Sequence, residues 1–208
     1  MGLISNGTTI FDAGSLASGL ASSLTFIKKI TASYSGTVDF VDGSSSVVLD
    51  NTYKEYLFTF KNIHPSGNAM FRFQGNAAGG SGFNETMTTT FFYAYVKEAG
   101  SSDGTLMYNT GGDQAQATGY QNIALDGTNN DADGNLGGYL HLFNPSSTTF
   151  RKHYISRISN ANGAGSTTYQ CDCFSTGYFN TTSAIDEISF KFHTGNIDAG
   201  DICLYGIN

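Results

Sequence analysis

Beyond Leu24 the chain alternates apolar and polar residues with a period of two, a pattern that predicts strands and no sustained helix. In YKEYLFTFKNI, Tyr56, Phe58 and Phe60 share one face, while Glu55, Thr59 and Lys61 share the other with Tyr53 and Leu57. MFRFQ sets Phe71 and Phe73 together opposite Arg72 and Gln74, which predicts a short strand with one wet face. In TMTTTFFYAYVKE, Phe92, Ala94 and Val96 oppose Phe91, Tyr93 and Tyr95. Both of its faces are apolar, so it is expected at the centre of a sheet or at a subunit contact. GGYLHLFNP places Leu140 and Leu142 opposite Tyr139, His141 and Phe143, and FRKHYISRI follows after Asn144, Pro145 and Ser146. Those three residues have turn chemistry, and a hairpin is predicted. The remaining strands are TTYQCDCFSTGYF, AIDEISFKF with Ile188, Phe190 and Phe192 on one face, and DICLYGI with Ile202 and Leu204 opposite Cys203 and Tyr205. GNIDAGD is expected to form the last turn, and residues 100–138 read as a long turn-rich stretch.

Some eight to ten strands result, the number found in two-sheet jelly rolls and related sandwiches. No fixed-period repeat marks a propeller or solenoid, and no long helical patterns separate the strands as a parallel α/β fold requires. The predicted fold is therefore all-β: a jelly-roll-like antiparallel β-sandwich over residues 24–208. Residues 1–23 are sparse in strong structure formers and are expected to form an extended N-terminal arm, tied down at its end.

A chain of 208 residues fits one such domain, and its 16 Phe and 12 Tyr suit half-buried pleated surfaces. Only 13% of residues are charged and 26 are Gly, which favours short strands and tight turns over exposed helices. The formal net charge of −7, with no cluster of Lys or Arg, argues against nucleic acid, and acidic surfaces resist anionic membranes. No segment reaches the roughly 18 apolar residues of a membrane-spanning helix, and residues 1–20 lack the basic start of a secretory signal. Cys171, Cys173 and Cys203 cannot all pair within one chain, and the first two fall on one strand face. They read as buried thiols of a protein made in a reducing cytoplasm.

Candidate chemistry is thin. Asn129, Asp131 and Asp133, followed by Gly134, resemble the opening of a calcium-binding loop. The position that should close such a loop with an acid is Leu140, inside the next strand, so an Asx-rich turn is the preferred reading and no cofactor is expected. Gly100, Ser102 and Gly104 match Gly-x-Ser-x-Gly, but a nucleophile elbow needs a strand and then a helix, and here the turn joins strands. His64, His141, His153 and His193 show no metal-ligand spacing, although His141 and His153 are placed to meet across neighbouring strands. Asp186 and Glu187 point to opposite faces and cannot act as paired carboxylates. Tyr93, Tyr95, Tyr139 and Tyr154 would suit a groove for carbohydrate or protein, with core packing as the default. Phe91, Tyr93 and Tyr95 are the candidates for an oligomer seam. No enzymatic activity is expected.

Six segments together resemble a family of virion structural proteins from marine tailed bacteriophages, including phages of cyanobacteria and of abundant marine heterotrophs. They are ISNGTTIFDAGSL, TFIKKITAS, YKEYLFTFKNIHP, TTTFFYAY, GGYLHLFNPSSTTFRKHYIS and FHTGNIDAGDICLYGI, spread over nearly the whole chain. The resemblance implies a phage-borne, trimeric sandwich attached through its N-terminal arm to a head or tail surface, and it carries over no catalytic residue. The leading expectation is a capsid decoration or cement protein on the virion surface, assembled in the host cytoplasm. Leu3, Ile4, Ile10, Phe11 and Leu16 would dock on the major capsid protein or another virion protein. The alternative is a tail-fibre or receptor-binding adhesin whose Tyr-rich loops touch host glycans.

Overall fold

The computed structural model describes residues 3–12, 15–16, 23–100, 104–125, 127–163 and 168–208. Strands β1 (Leu3–Ser5), β2 (Thr8–Asp12) and β3 (Ser15–Leu16) pair antiparallel in a small sheet of their own. Asn6 and Gly7 both take positive φ, 48° and 79°, as a two-residue hairpin turn whose twist matches its strands requires. The N-terminal stretch thus folds back on itself where a single extended run was expected. Met1 lies outside the described residues, as does any anchoring of it.

The sandwich begins with β4 (Leu24–Ser35) and β5 (Val38–Val41), then β6 (Glu55–Pro65), β7 (Phe71–Ala77) and β8 (Met87–Lys97). Three short strands follow, β9 (Gly104–Tyr108), β10 (Ala115–Ala117) and β11 (Gln121–Asn122), with one 3-10 turn at Thr110–Gly112. The chain ends with β12 (Leu136–Phe143), β13 (Lys152–Asn162), β14 (Tyr169–Phe179), β15 (Ile185–Phe192) and β16 (Ile197–Ile207).

A large antiparallel sheet has the order β10-β8-β14-β13-β12-β6-β16-β4, with β9 also paired to β8, and a small one has the order β11-β7-β15-β5. The molecule is an all-β antiparallel sandwich. The chain passes from one sheet to the other between β4 and β5, β5 and β6, β6 and β7, β7 and β8, β10 and β11, β11 and β12, β14 and β15, and β15 and β16. The hairpin of β13 and β14, and β8 with its short neighbours, extend the large sheet to one side.

The alternating aromatics place the core between the sheets. Phe190, on the small sheet, lies 5.2 Å from the Phe58 ring and 5.1 Å from that of Phe60 on the large sheet. It also touches Phe40, Phe71 and Phe73. Phe73 meets Tyr154 edge-on at 4.7 Å, which carries the core under β13.

Four expectations differ from the structure. Gln74 faces away from Phe73, as the alternation requires, yet it is fully buried: its amide donates to the carbonyls of Glu85, Thr118 and Gly119 and so holds the loop that covers it. The turn-rich stretch contains β9, β10 and β11, whose short ladders are completed by side chains such as Asp113, which accepts from the Phe91 amide at 2.7 Å. Residues 197–201 belong to β16, which takes up the Gly-Asp-rich sequence as bulges against β6. Finally, β8 lies between β14 and the short edge strands, not at the centre of the sheet.

Gly138 has φ 154° at the bulge where β12 shifts register against β6, and a Cβ there would fall against the Arg157 carbonyl oxygen and 2.9 Å from Ile158 Cα. Both obstacles are backbone and cannot swing aside. Gly138→Ala is expected to lower stability by about 1–3 kcal/mol, read as a shift in the urea midpoint at unchanged slope.

Lys152 is fully buried, and its Nζ donates to the Thr181 carbonyl at 3.1 Å. Burial disfavours its charged form and lowers its pKa. A base lowered in the fold carries its full penalty below the folded pKa. Stability then rises with pH from that value up to the unfolded one of 10.5. Lys152→Met is expected to raise the melting temperature near neutrality by about 2–4 °C and to flatten that alkaline rise, both measurable by calorimetry.

Candidate functional site

Residues directly opposite across a ladder share a face. One row on the outer face of the large sheet runs Phe26, Tyr205, Leu57, His141, Ile155, Thr176, Thr90. The row beside it continues from Thr59 through Tyr139, Arg157, Phe174 and Phe92 to Tyr108. Much of this surface is apolar and in water: Phe26 is 57% exposed, Ile155 46% and Leu106 on the β9 edge 70%. Phe92 and Phe174 lie stacked, 4.9 Å apart and 5° from parallel, and the Arg157 guanidinium sits 4.8 Å over the Phe174 ring.

The charged groups of this face are matched within it. Arg157 makes a two-pronged pair with Asp172, Nε to Oδ1 at 2.9 Å and Nη2 to Oδ2 at 2.7 Å. His141 lies 2.8 Å from the Glu55 carboxylate, and Lys29 lies 3.6 Å from Asp201. Asp201 is held below the ordinary carboxylate range, chiefly by the hydrogen bond from Thr31. The face is thus locally balanced in a chain of net charge −7.

The other outer face has a different character. Arg72, Asn122, Lys191, Ser189 and Asp39 line the small sheet there, with the Ser189 hydroxyl bonded to Asp39 and Lys191 over the Tyr120 ring. One sandwich therefore carries a polar outer face and an aromatic one. Seven strands at about 4.8 Å span roughly 29 Å, and eight residues at about 3.3 Å span roughly 26 Å, giving on the order of 750 Å². A standard protein interface buries about 800 Å² per partner.

The structure distributes the sequence candidates widely. Phe91 is 1% exposed and packs in the core, so it cannot form a seam. Tyr93 and Tyr95 lie on the inner side of the sheet, not on the aromatic outer face, and line a depression with Met107, Leu125, Tyr169 and Cys171. Tyr139 is on the outer face, and Tyr154 is buried with its hydroxyl bonded to Ser175 at 2.8 Å. The four tyrosines do not form one groove. His141 and His153 do not meet: the ladder sets His141 opposite Ile155, and His153 packs on the Tyr178 ring.

Asn129 and Asp131 bond each other in an Asx turn, side chain to side chain at 3.0 Å and Asp131 amide to Asn129 Oδ1 at 2.8 Å. Asp133 lines a hollow of its own with these two residues and Glu98, and among the described residues no group of three His, Cys, Asp or Glu is placed to hold a metal ion. Glu187 accepts from Asn76, while burial raises the Asp186 carboxyl above its usual range. Residues 101–103, at the centre of the Gly-x-Ser-x-Gly match, lie outside the described residues. Of the arm candidates, Ile4 is exposed; the side chains of Leu3, Ile10, Phe11 and Leu16 lie outside the described residues. Cys171 and Cys173 are free and buried, which pushes their thiols up to about 11 and about 12.

Sequence reasoning missed the row of Tyr139, Arg157, Phe174 and Phe92 and, in the row beside it, Ile155. A signal was present, because each of these residues lies on a strand whose opposite face is also apolar, and the hairpin of β12 and β13 brings Tyr139 to Arg157 by local pairing alone.

Fold and surface together define an antiparallel β-sandwich with one aromatic, charge-balanced sheet face. Comparison with family models, with curated proteins and with solved structures finds no match to this chain.

Proposed function

We propose that this chain is a structural protein of a phage virion, a capsid decoration or cement protein that assembles with copies of itself and stabilises the head shell. The observation that carries the reading is the aromatic outer face of the large sheet. Its area matches that of a standard interface, and the Arg157–Asp172 and Lys29–Asp201 pairs hold their charges within the face, so it can be buried against a different surface of a neighbouring copy, as a closed trimer requires. Strand order supports the same reading. Taken as β4-β16-β6-β12 and β5-β15-β7-β11, the two sheets have the winding of a jelly roll, a fold common in capsid proteins. Its β8 and its β13–β14 hairpin are insertions that widen the assembly face. Residues 1–23 form the docking segment toward the major capsid protein or another virion component, and the assembled state is a trimer.

The gain is mechanical. Apolar surface removed from water contributes about 25 cal/mol per Å², less the cost of ordering the docking segment, and many copies multiply a modest contribution. The test is a reconstruction of the intact particle together with the native mass of the purified chain. Density on the outer head shell and a mass of three chains are expected; a tail position rules out the cement role, and a monomer at micromolar concentration rules out the trimer.

A further inference from the structure

We propose that the depression between the tyrosines of β8 and β14 is a binding site for a neutral hexopyranose unit of a polysaccharide. It lies on the inner side of the large sheet, away from the assembly face, and does not depend on the virion reading.

The depression arises because cover is incomplete. The small sheet ends with β11, and beyond it Gly112 and the residues after β11 pack over the inner face of β14 and β8. There Gly112 packs against the Phe91 ring, and Ile123 and Ala124 are buried. Leu125 lines the edge of the hollow that follows. On the uncovered floor, Cys171 stands directly opposite Tyr95 in the ladder, a small thiol beside large rings, and the missing volume is a hollow of about 210 Å³. An apolar cavity of about 150 Å³ accepts one benzene ring, so this hollow has room for one six-membered ring with substituents.

Its walls suit a sugar. The rings of Tyr93 and Tyr95 lie 6.1 Å apart and 31° from parallel, and Tyr169 meets Tyr95 at 88° and 5.3 Å. A ligand ring entering here finds aromatic surface on two sides, and phenol hydroxyls accompany each apolar wall. Among the described residues the Tyr93 hydroxyl donates to the Met107 sulfur, at 3.4 Å, a weak acceptor that a sugar oxygen would replace with profit. Burial keeps that phenol protonated and able to donate.

The surroundings choose the sugar's charge. Tyr169 also borders a second hollow round the end of the sheet, where Val96, Ala161 and Gln170 stand on the outer side, and that one adjoins a third lined by Glu98, Asn129, Asp131 and Asp133. Carboxylates and an amide there can accept from the hydroxyls of neighbouring units, and among the described lining residues of all three hollows there is no Lys, Arg or His. An anionic sugar is repelled; a neutral chain of hexoses fits.

The test uses the full chain and saturation-transfer NMR with methyl glycosides of glucose, galactose, mannose and N-acetylglucosamine. Sialic acid serves as the anionic control and cyclohexanol as the apolar one. At least one neutral glycoside is expected to bind with a Kd on the order of 1 mM, to shift tyrosine ring resonances of the unmodified protein, and to be competed by a trisaccharide of the same sugar. Tyr95→Ala and the pocket-filling Cys171→Leu are each expected to weaken binding about tenfold, with melting curves recorded to verify folding. If either variant is unfolded, the ring shifts in the unmodified protein decide. Binding of cyclohexanol without any glycoside, preference for sialic acid, or no binding at all overturns the proposal.

Discussion

Phe190→Ala lowers the unfolding free energy by about 3–5 kcal/mol, the range for truncating a fully buried aromatic ring. Phe190 is the hub between the sheets: its ring meets Phe58 and Phe60 of β6 across the core and Phe40, Phe71 and Phe73 around it. Edge-to-face pairs of this kind add about 0.5–1.5 kcal/mol each beyond area burial, and one truncation removes several. In a domain of this size the melting temperature is expected to fall by about 6–20 °C. Phe26→Ala is the control. That ring is more than half exposed and makes one edge contact, with Tyr205, so its loss should cost under about 1 kcal/mol. Equal losses at the two sites would mean that the core does not lie between β6 and β15.

The double change Tyr139→Asp with Ile155→Asp is expected to leave the sandwich folded and to abolish self-association. Both side chains stand on the outer face, on facing strands of one hairpin, and neither belongs to the buried core. New carboxylates at the middle of a face that meets other copies must be buried unpaired. Centre-of-interface changes cost about 2–4 kcal/mol each, so association should weaken by at least about 100-fold. Sedimentation across a concentration series separates the outcomes, with a folded monomer expected. Unchanged mass would remove the outer face from the assembly. The same two changes on the polar outer face of the small sheet, at Asn122 and Lys191, should leave association intact.

The strands were readable where period two is strong. Phe58, Phe60, Phe71, Phe73 and Phe190 all lie where alternation placed them, because neighbouring residues on an extended backbone must point to opposite sides. The hairpin of β12 and β13 was equally local. The short strands β9, β10 and β11 were not readable, since two to five residues carry too little pattern. The N-terminal hairpin escaped although Asn6-Gly7 is a strong turn signal, because its strands lack flanking alternation. Among the candidates for an oligomer seam, Phe91, Tyr93 and Tyr95 share one face, as alternation placed them, but that face is the inner side of the sheet. Alternation cannot tell how far along a strand the cover extends. Gly112 roofs Phe91, while Tyr93 and Tyr95 border a hollow with Leu125.

By itself, the sequence determined the class of fold, the alternation of faces along β6, β7, β8, β12, β15 and β16, and the burial of Cys171 and Cys173, whereas Cys203, read as buried with them, is only half-buried. All of these follow from residue type and its position within one strand. Tertiary structure alone decided which of two apolar faces is core and which is surface, that His141 pairs with Glu55 and not with His153, and that Gln74 and Lys152 are interior. Those outcomes depend on pairing between strands far apart in the chain and on the unequal width of the two sheets. The narrower sheet covers only part of the wider one's inner side, and the hollow between the tyrosines lies on what it leaves bare, while the assembly face is the opposite side of the same sheet.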